Sequence, residues 1–352
     1  MDTDHTPTTH TDRTDDTPAH RDPREAATMR AVVQARYGSD PDAVLSVADA
    51  ARPPIGDDEV LVRVAAAGVD MGTWHCMTGV PYAMRFAGFG LRAPKALNPG
   101  RALAGTVEAV GRSVTSVTPG DEVYGSADGS FAELAAVPAD QLARKPWNLT
   151  FVQAAAVPIS GSTALQGLRK AGVQPGQRVL VVGASGGVGS FAVQIATAMG
   201  ASVTGVCSTE KVAFVEALGA DHVIDYTRED LDDGSHEFDV ILDIGGSRRL
   251  ADLRRALAPR GTLIIAGGET DGRWLGGFDR SLRAAVLSTV VRQTLTPLVS
   301  TEQGAELDVL RTMIESGQVT PAVDRTFPLT EAADALRHLR EGRARGKVVI
   351  TI

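Results

Sequence analysis

Seven consecutive residues carry the densest chemical signal in this chain: Gly183-Ala184-Ser185-Gly186-Gly187-Val188-Gly189. They follow the apolar run Arg178–Val182 and open a helical pattern that reaches Met199 and closes at Gly200. Small residues in such a turn let the backbone come close to a bulky anion. The first turn of the helix adds unpaired N–H groups and the positive end of its dipole. A dinucleotide pyrophosphate suits this arrangement, so Gly183, Ser185, Gly186, Gly187, Val188 and Gly189 are candidate cofactor contacts. The glycine spacing is GxxGxxG rather than GxGxxG, and a tight strand-to-helix turn alone would use the same residues. The strands and helices on either side favour the dinucleotide.

The end of the next strand-like run bears on which dinucleotide binds. Chains that hold the ribose hydroxyls of NAD place Asp or Glu there, about 20 residues after the turn. Here Val203–Ser208 ends without an acid, Lys211 follows three residues later, and Tyr226 ends the third run. The hydroxyl, ammonium and phenol of Ser208, Lys211 and Tyr226 would suit a 2′-phosphate, so NADPH is expected over NADH. Lys211 taken alone reads equally well as an exposed lysine at a helix start.

The elements that must hold this site follow from hydrophobic rhythm. After Thr163, strand-like runs at Arg178–Val182, Ser202–Cys207, His222–Tyr226, Phe238–Ile244 and Gly261–Ala266 alternate with helical patterns, among them Lys211–Leu218 and Arg248–Ala258. That alternation predicts an α/β fold with a doubly wound parallel sheet and right-handed crossovers. Upstream, Met29–Gln34, Val60–Ala66 and Gly105–Val110 read as strands between turn residues, a β-rich unit resembling a partly closed barrel. The final run Lys347–Ile352 is expected to return to that unit. Ser281–Leu298 reads as a buried or subunit-facing helix, too short and too charged to span a bilayer.

The chain has 352 residues, is 43% hydrophobic and carries a net charge of −8, enough for two domains with substantial cores. The acidic balance and the lack of Lys/Arg runs argue against a nucleic-acid surface. Cys76 and Cys207 are the only cysteines, which excludes a disulfide framework and points to the cytoplasm. Residues 1–28 are rich in Thr, Asp and Pro and are expected to be a disordered tail without a signal-peptide core. His5, His10 and His20 are expected to be solvated there, and Met29 is a second candidate start.

The chain resembles the medium-chain dehydrogenases/reductases over essentially all of Met29–Ile352. Carrying the resemblance are Pro119-Gly120-Asp121-Glu122-Val123, Ala154–Pro158, Thr163-Ala164, the turn at Gly183–Gly189, Gly219-Ala220-Asp221 and Gly346-Lys347-Val348-Val349. Gly183–Ala196, GASGGVGSFAVQIA, is similar to the quinone oxidoreductase branch and its reticulon-interacting relatives. The resemblance implies a GroES-like β-barrel domain over 29–156, completed by about 320–352, and a Rossmann domain over 157–319. It also implies a homodimer. Thr163 would lie near the nicotinamide, Ala266, Gly267 and Gly268 beside its carboxamide, and Arg343 or Arg345 near the adenosine phosphate.

Departures from the zinc branch of that family bear on chemistry. Where zinc enzymes carry Gly-His-Glu, this chain has Gly100-Arg101-Ala102, and the first Cys ligand falls at about Asp70. His75 beside Cys76 does not make a zinc site, because a catalytic zinc needs about three protein ligands. No zinc is therefore expected. A metal-free hydride transfer suits a quinone or α,β-unsaturated carbonyl, which spreads the developing negative charge. Candidate catalytic residues are Asp70, His75 and Tyr82, the last near the proton-donating tyrosine of enoyl reductases in the resemblance. Two other readings stay open: an alcohol dehydrogenase or carbonyl reductase, with or without zinc, and a cofactor-binding regulatory protein without turnover.

Overall fold

A computed structural model describes Met1 and residues 28–231, 237–267 and 272–352. The tail expected over 1–28 lies outside the described residues except for Met1 and Thr28, and so does Gly268.

Fifteen strands are found among the described residues. β1 (Thr28–Gln34) and β2 (Leu45–Ala51) pair as an antiparallel ribbon. A seven-stranded sheet is built from β3 (Glu59–Val69), β4 (Ala102–Val110), β5 (Glu122–Ser126), β6 (Leu134–Pro138) and β7 (Leu142–Arg144), with two strands from the far end of the chain. Along β3 the side chains alternate: Val60, Val62 and Val64 enter the core of this sheet. An irregularity between Val64 and Ala66 then resets the phase. Ala67 and Val69 continue into the same core, while Ala66 faces the neighbouring one. A one-residue slip exchanges the faces of a strand, so this strand serves both cores.

The six strands β8 (Arg178–Val182), β9 (Ser202–Cys207), β10 (His222–Asp225), β11 (Phe238–Asp243), β12 (Leu257–Ile265) and β13 (Thr294–Pro297) form the second sheet. They are parallel in the order β10-β9-β8-β11-β12-β13, the order of a dinucleotide-binding doubly wound sheet. Both faces are buried: Val179 and Val181 point into one cluster, Leu180 and Val182 into the other. The helix expected over Ser281–Leu298 ends at Ser288, and β13 follows. Leu295 is buried where β13 pairs with β12, and Pro297 is tolerated because this is an edge strand. The helix expected over Arg248–Ala258 is shorter, Leu250–Arg255, because Leu257 already joins β12.

The chain returns to the first sheet through β14 (Val323–Pro328) and β15 (Lys347–Thr351), with β15 antiparallel to β3. The two sheets are joined by helices. The helix Phe151–Ala155 starts at a capping box made by Thr150 and Gln153. The helix Gly304–Glu315 packs against β7 and the helix Pro158–Ala171, and the buried Tyr124 hydroxyl donates to the carbonyl of Leu307 at 2.6 Å.

One buried ion pair ties the sheet to the helix Phe278–Ser288. Arg280 Nη1 lies 2.5 Å from Asp243 Oδ2 at the end of β11, and the Asp243 side chain is fully buried. Burial pushes the Asp243 carboxyl up, and Arg280 opposes it. Removing one partner leaves a charge without compensation, at a cost of about 3–5 kcal/mol. Arg280→Ala is therefore expected to lower the urea midpoint sharply at neutral pH. The double change Arg280→Met with Asp243→Leu, which removes both charges, should lose less. Equal losses would show that the pair acts through shape rather than charge.

Candidate active site

The order of the parallel strands reverses between β8 and β11, and a crevice opens there at their C-terminal ends. Gly183 leaves β8 with φ +86°, a conformation that favours glycine. A Cβ on Gly189 would stand 2.1 Å from the Gly183 carbonyl oxygen, so the helix can start this close to the turn only without a side chain. Gly186 caps the helix Gly187–Ala198 with no side-chain hydrogen bond, which keeps the helix start open to an anion. Ala266 and Gly267 follow β12 and donate their N–H groups to the Asp243 carbonyl at 2.9 and 3.1 Å. This places them on the same edge.

One residue of this cradle escaped the sequence reading. Ser185 is buried, and its carbonyl accepts the Gly346 N–H at 2.9 Å. The next residue, Lys347, is 2% exposed, and its Cδ lies 2.8 Å from where a Cβ on Gly187 would stand. Burial pushes the Lys347 ammonium down, and the Asp70 carboxylate opposes that. A buried lysine beside an open helix start fits a pyrophosphate, which would return to the ammonium the charge partner that burial removes. The available signal was a charged residue opening an otherwise apolar, core-facing strand.

At the outer end, Ser208, Lys211 and Arg343 line one cleft of about 380 Å³, together with Arg325 and Arg345. Lys211 Nζ donates to the carbonyls of Gly342 and Ala344 at 2.6 and 2.9 Å, and burial lowers its pKa. Its charge therefore also fastens the segment before β15. Tyr226 does not end the third strand; β10 stops at Asp225. Tyr226 is exposed, and its N–H reaches the Cys207 carbonyl at 3.1 Å, which brings it beside Ser208. Arg343 pairs with Glu341 at 2.8 Å.

The remaining candidates stand on the barrel side and at the helix Pro158–Ala171. Asp70 caps the helix Met71–Thr78, with Oδ1 accepting the Thr73 N–H at 3.1 Å, while Oδ2 is buried without a hydrogen bond. Its carboxylate thus has a structural duty that the sequence reading did not foresee. His75 sits on that helix with Nδ1 2.7 Å from the Val80 carbonyl. Tyr82 follows; its ring meets Trp274 edge-on at 5.4 Å and the Arg85 guanidinium at 4.7 Å. The Tyr82 N–H donates to Arg273, so the loop after β12 is fastened to this lip. Thr163 lies within its helix; its hydroxyl donates to Ile159 at 2.7 Å and meets Ser300 Oγ at 3.2 Å.

A family model described as "Alcohol dehydrogenase GroES-like domain" matches residues 56–147, and one described as "Zinc-binding dehydrogenase" matches 218–350. A 2-methylene-furan-3-one reductase of Solanum lycopersicum is 35% identical, covering 92% of this chain and 79% of that protein. A chloroplastic NADPH-dependent alkenal/one oxidoreductase of Arabidopsis thaliana is 34% identical with the same coverages. The solved quinone oxidoreductase of Coxiella burnetii superposes with a TM-score of 0.79 at 28% identity, covering 92% of this chain and 99% of that one. Among the described residues no group of three or more His, Cys, Asp or Glu could hold a metal ion.

A methyl group at Gly187 would press on the Lys347 stem. Overpacking of this kind costs about 1–3 kcal/mol, and every 1.4 kcal/mol is about tenfold in affinity. Gly187→Ala is expected to weaken the binding of a reduced nicotinamide dinucleotide about tenfold in a fluorescence titration while the protein stays folded by circular dichroism. Unchanged affinity would separate Lys347 and the helix start from the cofactor.

Proposed function

The chain belongs to the medium-chain dehydrogenase/reductase superfamily, and from that premise we propose that it is an NADPH-dependent oxidoreductase of quinones or α,β-unsaturated carbonyls that works without a catalytic metal. The observation that carries this reading is the crevice: an open glycine cradle backed by the buried Lys347, facing a lip that has no set of metal ligands among the described residues. The relatives from Solanum lycopersicum and Arabidopsis thaliana, a 2-methylene-furan-3-one reductase and an alkenal/one oxidoreductase, support the substrate class.

A bound reduced nicotinamide would supply the hydride. The chain's own residues hold and orient it: Gly183–Gly189 with Lys347 at the pyrophosphate, and Ser208, Lys211, Arg343 and Tyr226 at the 2′-phosphate. Thr163, Ala266, Gly267 and Gly268 serve the nicotinamide end. No acid stands at the tip of β9, where a carboxylate would repel the phosphate. Tyr82 is the proposed proton donor, with His75 and Asp70 ordering the lip beneath it.

The two free cysteines support a reducing cytoplasm. No helix among the described residues is long and apolar enough to cross a membrane. A homodimer is supported by the open edge of β13, the exposed Leu282 and Val286 on the neighbouring helix, and the exposed Val290 in the turn just beyond it. Light scattering should give twice the chain mass; a monomer at micromolar concentration would remove that part of the reading.

The functional test is NADPH consumption, followed by absorbance in EDTA-treated buffer, with an ortho-quinone and a linear enone as acceptors and NADH alongside. Metal-free turnover that prefers NADPH is expected, with Tyr82→Phe slower by about a hundredfold on the enone. The description "Zinc-binding dehydrogenase" favours the second reading, an alcohol dehydrogenase or carbonyl reductase. Turnover that appears only when zinc is restored would establish that reading and overturn ours. Tight NADPH binding without turnover of any acceptor would favour a regulatory role.

A further inference from the structure

The functional reading leaves one charged group of the crevice without a task. Arg101 stands just before β4, and 29% of its side chain is exposed. Nη2 donates to Glu302 Oε2 at 2.7 Å. Nε lies 4.0 Å from Asp128 Oδ1, too far for a hydrogen bond, and is buried with no partner.

Glu302 fixes where this cation sits. It follows Ser300 by two residues, and the Ser300 hydroxyl meets Thr163 at the C-terminal edge of the parallel sheet. Arg101 thus reaches from the barrel side to the edge where the reactive end of a dinucleotide must lie. Burial pulls the Arg101 pKa down, but Glu302, Asp128 and Asp70 outweigh it and hold the group charged. The neighbouring Cys76 thiol is pushed up to about 11, chiefly by burial, so it stays neutral and does not compete as an anion. The segment Met71–Val107, which forms this lip, contains no Asp or Glu in a chain of net charge −8.

We propose that Arg101 is a catalytic residue whose guanidinium receives the substrate carbonyl oxygen as negative charge develops on it, with Glu302 as the positioning residue that aims it. The proposal rests on the reductase reading above and gives its site an electrophile. Hydride adds to the β-carbon of the enone, the C=C electron pair shifts toward the carbonyl, and the oxygen takes the negative charge. A proton from the Tyr82 hydroxyl or water then reaches the α-carbon and restores the ketone. Arginine does not lose its proton in this range, so Arg101 acts as a fixed charge rather than an acid. Its unpartnered Nε–H and the Nη groups not held by Glu302 are the donors available to the oxygen.

The test uses the full chain with NADP⁺ and 4-nitrophenol, whose phenolate mimics the anionic oxygen and needs no hydride transfer to be seen. Absorbance against pH should show the bound phenol ionising at lower pH than in buffer. Arg101→Gln should abolish that shift, and Arg101→Lys should keep part of it. Removing one oxyanion donor typically costs about 10²–10³-fold in rate, so Arg101→Gln should lose at least about a hundredfold in kcat. NADPH affinity, measured by fluorescence, should stay within about twofold, which a variant that had lost its fold would fail. A purely structural link between Arg101 and Glu302 would leave the phenol's ionisation alike in wild type and Arg101→Gln, and that result overturns the proposal. So does a wild type that leaves the phenol where it is in buffer. A probe shift that depends on Arg101, in a protein that turns over neither quinone nor enone, would uphold the anion site and overturn the reductase reading instead.

Discussion

The crevice depends on a short length of backbone where the end of the chain is fastened to the glycine turn. Gly346 donates its N–H to Ser185, and Lys347 then passes its stem across the face of Gly187. From there β15 runs antiparallel to β3, so the strand that completes the barrel sheet starts against the glycine turn of the parallel sheet. A Cβ on Gly346 would stand 2.3 Å from the Ala322 carbonyl oxygen, and its φ is +86°. The contact therefore tolerates little beyond glycine. Lys211, bonded to the Gly342 and Ala344 carbonyls, holds the approach to this point from the outer end of the crevice. The same few residues thus shape the cofactor groove and hold the two sheets in register around it.

That fastening has an electrostatic consequence. Lys347 is buried with only the Asp70 carboxylate opposing the cost of burying its charge. A dianionic pyrophosphate would reverse the sign of the effect. Stability spent in the empty protein is recovered as affinity and as closure of the groove on its ligand. The Asp243–Arg280 pair differs in kind, since both charges are buried and each offsets the other at 2.5 Å. One suits an anion, and the other is a brace.

Local signals in the sequence were enough for the parts built locally. The glycine turn, the strand before it and the helix after it lie within about twenty residues, and their spacing encodes their geometry. The parallel sheet was legible from alternation, apart from β13, whose four residues sit in a stretch that an apolar helix pattern masked. What stayed hidden depends on contacts between distant positions. Arg101 and Glu302 are 201 residues apart, and nothing near either predicts the other. Lys347 lies in the family-like run Gly346-Lys347-Val348-Val349, but its burial against Gly187 is a fact of packing. Asp70 was read as a group for chemistry, and the structure gives one of its oxygens to a helix cap, a role that needs the location of the helix start.

The pattern of charge in the crevice also bears on which chemistry it can support. A guanidinium about 4 Å from a developing anion contributes about 4 kcal/mol at an effective dielectric constant near 20. A Lewis-acidic metal in direct contact with the oxygen supplies more, and it can stabilise the localised charge of a simple alkoxide. With Arg101 already engaged by Glu302, only part of its charge is free for a substrate. A substrate that delocalises the incoming negative charge needs less help from the protein, and enolates and hydroquinone anions do so. The crevice is thus matched to acceptors that already hold part of the stabilisation in their own π-systems, and poorly matched to saturated carbonyls.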